Sequence, residues 1–232
     1  MSEATAEAKA FVSAHLEQAH GLGERLADLT EEPEAFVDAL RAGLQALVDP
    51  AHLEMATRAC PETPARFAIR GPLHAALMRP LDRALAESSS ISALRLAQRL
   101  TDTEHRDLRL YAHPCLRRSL KPDPELSWQL MRRLARCAED WIAVDGLADV
   151  WARGVLAEPF RWAELELLPY SDHTYERRLV PATLASIPHR LPRARRDELR
   201  GAPGERAAHM IAMLMGDAEE MVQKALSWAI RE

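Results

Sequence analysis

DPELSWQLMRRLARCAEDWIAVDGLADVWARGVL, residues 123–156, reads as two helices over about 123–137 and 139–156 with almost nothing between them. Asp123 is placed to cap the first, since a short carboxylate can bond the free N–H groups of a helix start. Trp128 and Trp151 fall at helical positions and read as core or groove lining. The same rhythm runs outward. Helices are predicted near 91–101, 104–119, 160–168, 173–187, 204–215 and 218–231. Ser90, Thr103, Ser171 and Asp217 are the expected caps, and Asp217 with Glu220 three residues on has the form of a capping box. Strand-like alternation never persists for more than a few residues. Short helix pairs repeated along a chain predict an all-α fold, an α-solenoid of antiparallel pairs. An irregular helical bundle fits the pattern alone equally well.

Upstream, residues 3–20 place Ala10, Phe11, Ala14 and Leu16 on one side. Residues 33–49 open with Pro33, whose missing N–H costs nothing in a first turn, and carry Phe36, Leu40, Leu44 and Leu47 at three- and four-residue steps. Residues 63–86 read as one helix or two, with breaks expected at Gly71-Pro72 and Pro80. Residues 188–204, rich in Arg between Pro188 and Gly204, are expected to form an exposed loop or a short mobile helix. The whole of 1–232 is expected to be one domain, with divergent acidic helices over 1–88 and regular repeats over 89–232.

Composition agrees with a folded, helix-rich chain. Of 232 residues, 47% are hydrophobic and 28% charged, which excludes disorder, and only 5% are aromatic. Cys60, Cys115 and Cys137 are odd in number and lack C-x-x-C spacing, so neither a disulfide scaffold nor a zinc site is expected. No apolar run approaches the roughly 18 residues of a membrane span. The N-terminus carries Glu3 and Glu7 before Lys9 and lacks the character of a signal peptide, so a cytoplasmic protein is expected. The net charge of −5 is unevenly distributed. Residues 1–60 carry eleven acids against four Lys/Arg, and the rest of the chain is +2. Basic residues cluster at Arg117, Arg118 and Lys121; at Arg132, Arg133 and Arg136; at Arg177 and Arg178; and at Arg190, Arg193, Arg195 and Arg196. Either four solvated faces or one basic strip able to hold phosphates follows from this.

Three segments carry candidate chemistry. Trp141-Ile142-Ala143-Val144-Asp145 sets an indole and a carboxylate one turn apart on one helix face. Tyr175-Glu176-Arg177-Arg178-Leu179-Val180 holds paired arginines in an apolar helix, and Val222-Gln223-Lys224-Ala225-Leu226-Ser227-Trp228-Ala229-Ile230-Arg231-Glu232 closes the chain. Read alone, Trp141 and Trp228 would be core residues and Asp145 a solvated or capping carboxylate. Arg177 and Arg178 would be partners of Glu176 or Asp172. Taken together and in order, the three segments resemble the W-x-x-x-D, R-R and Q-K-A-x-x-W-x-x-R-E signatures of the AlkD-type DNA alkylation repair family, over roughly residues 104–232.

The resemblance implies HEAT-like repeats wound into a curved superhelix with a basic DNA-binding surface. It implies excision of N3- and N7-alkylated purines from double-stranded DNA by a monomeric DNA glycosylase, a base-excision hydrolase with no cofactor and no metal. Position by position, Asp145 matches the catalytic carboxylate, and Trp141 and Trp228 match the aromatic pair flanking the lesion's deoxyribose. Arg178, and second to it Arg177, matches the residue on the DNA backbone; Arg118 and Lys224 are the further expected DNA contacts. Family members usually continue for several helices past the position of Glu232.

The chemistry suits those residue types. An alkylated purine is already cationic, so its glycosidic bond breaks with little acid help and positive charge passes to the sugar. A carboxylate stabilises that charge and orients the attacking water. Indole faces attract cations by about 0.5–2 kcal/mol, and arginine binds phosphate through two parallel hydrogen bonds. Two other functions fit the same residues: an inactive HEAT-like module binding branched or distorted DNA, and a protein-interaction scaffold using the acidic N-terminal region. The nine histidines lack ligand spacing, Ser88-Ser89-Ser90 reads as a cap or loop, and no phosphate-cradling glycine loop is present.

Overall fold

A computed structural model of the chain describes residues 3–59, 66–193, 197 and 202–232. Cys60, Arg195 and Arg196, read above from the sequence, lie outside the described residues. Among the described residues there are helices and no strands, as the sequence predicts. No helix is long and apolar enough to cross a membrane. The packing divides into two compact units, Met1–Pro122 and Asp123–Glu232.

In the first unit the helices are α1 (Glu3–Asp28), α2 (Pro33–Ala46), α3 (Pro50–Ala59), α4 (Gly71–Glu87), α5 (Ser90–Thr101), α6 (Arg106–Arg109) and α7 (Ala112–Ser119). Helix α1 lies along α4, and α5 lies along α7 and touches α2. The core is leucine: Leu26, Leu40, Leu44, Leu73, Leu77, Leu81, Leu96 and Leu100 are buried completely or nearly so.

Several boundaries differ from the sequence reading, each for a local reason. Helix α1 runs past Gly21 and Gly23 to Asp28. A Cβ on Gly23 would stand 2.2 Å from the Leu77 carbonyl oxygen and 2.6 Å from Pro80 Cγ, so the glycine is what lets α1 and α4 meet. Gly23→Ala is expected to destabilise the chain by about 1–3 kcal/mol through overpacking. Urea unfolding measures this, and an unchanged midpoint would refute the close approach. Pro80 does not break α4 but lies inside it, whereas Gly71-Pro72 marks its start. Asp49 bonds the Ala51 amide (3.0 Å) and starts α3, which the reading of 33–49 as one helix missed. Ser89 rather than Ser90 caps α5, accepting from the Ser92 amide at 3.0 Å. His105 rather than Thr103 caps α6; Thr103 instead donates to the Leu100 carbonyl at 2.8 Å.

The second unit contains α8 (Pro124–Arg136), α9 (Trp141–Ala157), a 3₁₀ turn at Pro159–Arg161, α10 (Trp162–Leu165), a second 3₁₀ turn at Leu168–Tyr170, α11 (Thr174–Arg190), α12 (Ala202–Leu214) and α13 (Glu220–Arg231). A connection of only a few residues turns α8 back onto α9. Helix α11 packs on α9 along one side and α13 along the other, and α8 and α12 also touch it. Flanked in this way, α11 is buried on every side from Arg178 to Ile187. Trp128 and Trp151, 4.4 Å apart between ring centroids, are core residues, as expected, and Trp162 is buried with them. The segment 160–168 is broken into turns around α10 rather than forming one helix. Residues 188–190 of the expected loop continue α11.

The caps of this unit are corrected in the same way. Asp123 occupies the N-cap position of α8 without a side-chain bond. His173 precedes α11, and Ser171 serves the turn before it by accepting from the His173 amide at 3.0 Å. Glu219 precedes α13, so the Asp217–Glu220 capping box does not form. Asp217 accepts instead from the Glu219 amide at 2.9 Å.

Candidate functional site

Helix α9 begins at the first motif. Asp140, extended and buried, caps it by accepting from the Ala143 amide at 2.9 Å. This cap releases the next side chain, Trp141, outward. Trp141 is 41% exposed, which removes it from the core. One turn on, Asp145 is half-buried on the same face. Asp145 therefore does not cap the helix; its predecessor Asp140 does.

The second motif supplies its partner. Arg178, 5% exposed on α11, embraces Asp145: Nη2 donates to Oδ2 at 2.9 Å and to Oδ1 at 3.0 Å, and Nε donates to Oδ1 at 3.1 Å. Its Nη1 donates to the main-chain carbonyl of Met221 on α13. One guanidinium thus ties α9, α11 and α13 together. Burial pushes the Asp145 carboxyl above its usual range, and the nearby Asp140 charge adds to this. The bonds and charge of Arg178 pull the other way without cancelling it.

Arg177, adjacent on α11, turns elsewhere. Its Nε donates to Asp217 at 2.6 Å and its Nη1 to the Ser171 carbonyl at 2.9 Å. Its partner is therefore Asp217, not Glu176 or Asp172. Burial works to raise the Asp217 carboxyl, but the bonds from Arg177 and the Glu219 amide hold it below the usual range.

The third motif starts with a structural residue. Gln223 Nε2 reaches the carbonyls of Leu214 (3.2 Å), Met215 (3.3 Å) and Asp217 (2.9 Å), closing the turn between α12 and α13. Lys224 is exposed and pairs with Glu220 at 2.7 Å, a surface pair worth little and open to exchange. Trp228 is half-buried, two turns past Met221 and on nearly the same face of α13. Arg118 belongs to the first unit, where its Nε donates to the Ser88 carbonyl at 3.0 Å.

The basic clusters are largely consumed internally. Arg117 pairs with Asp82 at 3.4 Å, Arg190 pairs with Asp149, and Arg177 and Arg178 are held as described. The exposed run Arg132, Arg133 and Arg136 keeps its side chains at the surface. Sequence reasoning missed Asp140, although an Asp directly before a helix's first apolar residue is an N-cap signal. It also missed the Met221 carbonyl, a main-chain group with no sequence signal. Among the described residues no group of His, Cys, Asp and Glu could hold a metal.

No curated protein and no solved structure is significantly similar to the chain. A family model described as DNA alkylation repair enzyme matches residues 40–232 and so takes in all three motifs.

Proposed function

Because the chain belongs to the DNA alkylation repair enzyme family, we propose that it is a monofunctional DNA glycosylase releasing cationic N3- and N7-alkylpurines from duplex DNA. The observation that carries this reading is the exposed indole of Trp141 standing one turn before a half-buried carboxylate oriented by two nitrogens of a buried arginine. A carboxylate in that setting is preorganised, so stabilising charge on the sugar requires no reorganisation at the moment of bond cleavage. Trp141 and Trp228 would flank the deoxyribose and favour its cationic transition state.

Arg178 then acts first as a positioning residue. Its contact with the DNA backbone requires it to share its guanidinium between Asp145 and a phosphate. Arg177, Lys224 and Arg118 are the further proposed backbone contacts. Of these Lys224 is the most readily freed, because its pair with Glu220 lies at the surface. The chain would act as a monomer in the cytoplasm, its HEAT-like helices on alkylated duplex DNA, with no cofactor.

The test is release of 7-methylguanine and 3-methyladenine from alkylated duplex, run beside a gel shift on the same DNA. Base release supports the proposal; salt-sensitive binding without release would support the inactive DNA-binding module instead, and no binding would support the protein scaffold. The pH dependence is a second expectation. Catalysis needs ionised Asp145, and burial has raised its pKa. The acid limb of kcat/KM is therefore expected at a pH above the ordinary Asp value of about 4, with activity rising as pH increases through it. A limb at or below that value would show that another group controls the rate.

A further inference from the structure

The turn between α12 and α13 stands out from the core. Met215, Gly216, Ala218 and Glu219 are exposed, and a Cβ added to Gly216 would meet nothing within 4 Å. With so little packing around it, the turn depends on hydrogen bonds. The last carbonyls of a helix lack helical partners. Gln223, in the first turn of α13, reaches back to them: its Nε2 donates to the carbonyls of Leu214 and Met215 and, at 2.9 Å, to that of Asp217. A side-chain amide has two hydrogens, so the three carbonyls share them.

The same connection is gripped from α11. The Asp217 carboxylate, 7% exposed, receives Arg177 Nε at 2.6 Å. Arg178, next along α11, donates to the carbonyl of Met221, four residues beyond Asp217. Met221 lies within the loop that the Gln223–Asp217 bond closes, so that bond restricts where its carbonyl can stand. The consequence reaches the acid. Arg178 meets Asp145 through Nε and Nη2 and Met221 through Nη1, and a planar guanidinium held at all three nitrogens has no freedom to turn. With Nη1 unmet in a buried setting, the group would turn toward another acceptor, because an unpaired buried donor is costly. Its bonds to Asp145 would bend or lengthen as it did so.

We propose that Gln223 is a positioning residue of the candidate site: it closes the α12–α13 turn so that the Met221 carbonyl meets Arg178, and Arg178 is thereby held on Asp145. Gln223 touches neither the acid nor the arginine and acts through the main chain between Asp217 and Met221. Because the turn is exposed, water can replace the lost donors, so removing the amide leaves a folded chain with a loosened arginine. The proposal rests on the glycosylase reading for what the site does, but its geometry is tested apart from base release.

The experiment reads two resonances of the full chain: the Arg178 Nε–H in ¹⁵N spectra and the Asp145 carboxyl ¹³C, both assigned sequentially in the wild type. Gln223→Met keeps the side-chain length and removes both donors. In it the Arg178 signal is expected to shift and broaden. The Asp145 titration is expected to move to higher pH, because the Arg178 bonds that pull it down are weakened while the Asp140 charge that pushes it up is unchanged. A glutamine that only closed its own turn would move the main-chain amide signals of residues 214–223 and neither of these. In base release, kcat for 7-methylguanine is expected to fall about tenfold or more, with the Kd for the duplex within about twofold of wild type. Should Gln223→Met fail to fold, Gln223→Asn, which withdraws the donors by one methylene, is read in the same way. Arg178 and Asp145 signals unmoved in a folded variant would overturn the proposal, whatever the rate of base release. A wild type that releases no base would instead overturn the glycosylase reading, and the two resonances would still decide the role of Gln223.

Discussion

Asp145→Asn is expected to reduce release of 7-methylguanine from alkylated duplex to background, a loss of at least about 10²-fold. The carboxamide keeps the shape of the side chain and can still accept from Arg178, whose Nε and Nη2 bond the carboxylate at 2.9–3.1 Å. What disappears is the negative charge that the developing cation on the sugar would meet. The substitution also leaves the buried Arg178 cation without its counter-charge. Breaking a fully buried pair costs about 3–5 kcal/mol, and the quarter exposure of Asp145 reduces that figure. The variant is therefore expected to fold with a lowered melting temperature. Circular dichroism establishes the fold at the assay temperature, and the base-release assay is read only on folded protein. Wild-type rates in folded Asp145→Asn would remove Asp145 from the chemistry.

The largest expected effect on stability is at Arg161. This side chain is 3% exposed at the end of the 3₁₀ turn before α10. Its Nη1 donates to Glu164 at 2.7 Å, its Nη2 to Glu125 at 2.8 Å and its Nε to Glu158 at 3.1 Å. The guanidinium stands 4.8 Å over the Trp128 ring and 4.6 Å over Phe160. Glu164 also accepts from Trp128 Nε1 at 2.7 Å. Burial works to lower the Arg161 pKa, but the bonds to its glutamates outweigh it and push it higher still. Arg161→Ala would leave two partly buried carboxylates facing each other beside Trp128. The expected loss is about 3–5 kcal/mol in urea unfolding.

The sign of its pH dependence follows from Glu125, whose carboxyl is held below the usual range by the Arg161 hydrogen bond. That contribution is present above the unfolded pKa of about 4.3 and is lost as pH falls through the lower folded value. The difference between wild type and variant should therefore narrow slightly in acid. A loss below about 1 kcal/mol would mean that the packing of Trp128 and Trp151 holds α8 and α9 together without the ion network.

Much of the candidate site was legible before any coordinates. Trp141 and Asp145 share a face because four residues make about one helical turn, and local spacing is enough to establish that. The pairing of Arg178 with Asp145 was not legible, because 33 residues separate them and nothing in either segment names the other. The resemblance placed Arg178 ahead of Arg177, but nothing in the sequence named the partner of either. A rotation of about 100° sends one to Asp217 and the other to Asp145.

Helix class, the approximate limits of most helices and the one-turn spacing of indole and carboxylate were determined by the sequence alone, since each depends on interactions within a few residues. The tertiary structure alone decided which arginine meets the acid, that α11 is buried on all sides, and that Gly23 admits a neighbouring helix. These depend on which helix lies beside which, and a side chain's partner, exposure and charge state are set by the groups that packing brings near it rather than by its neighbours along the chain.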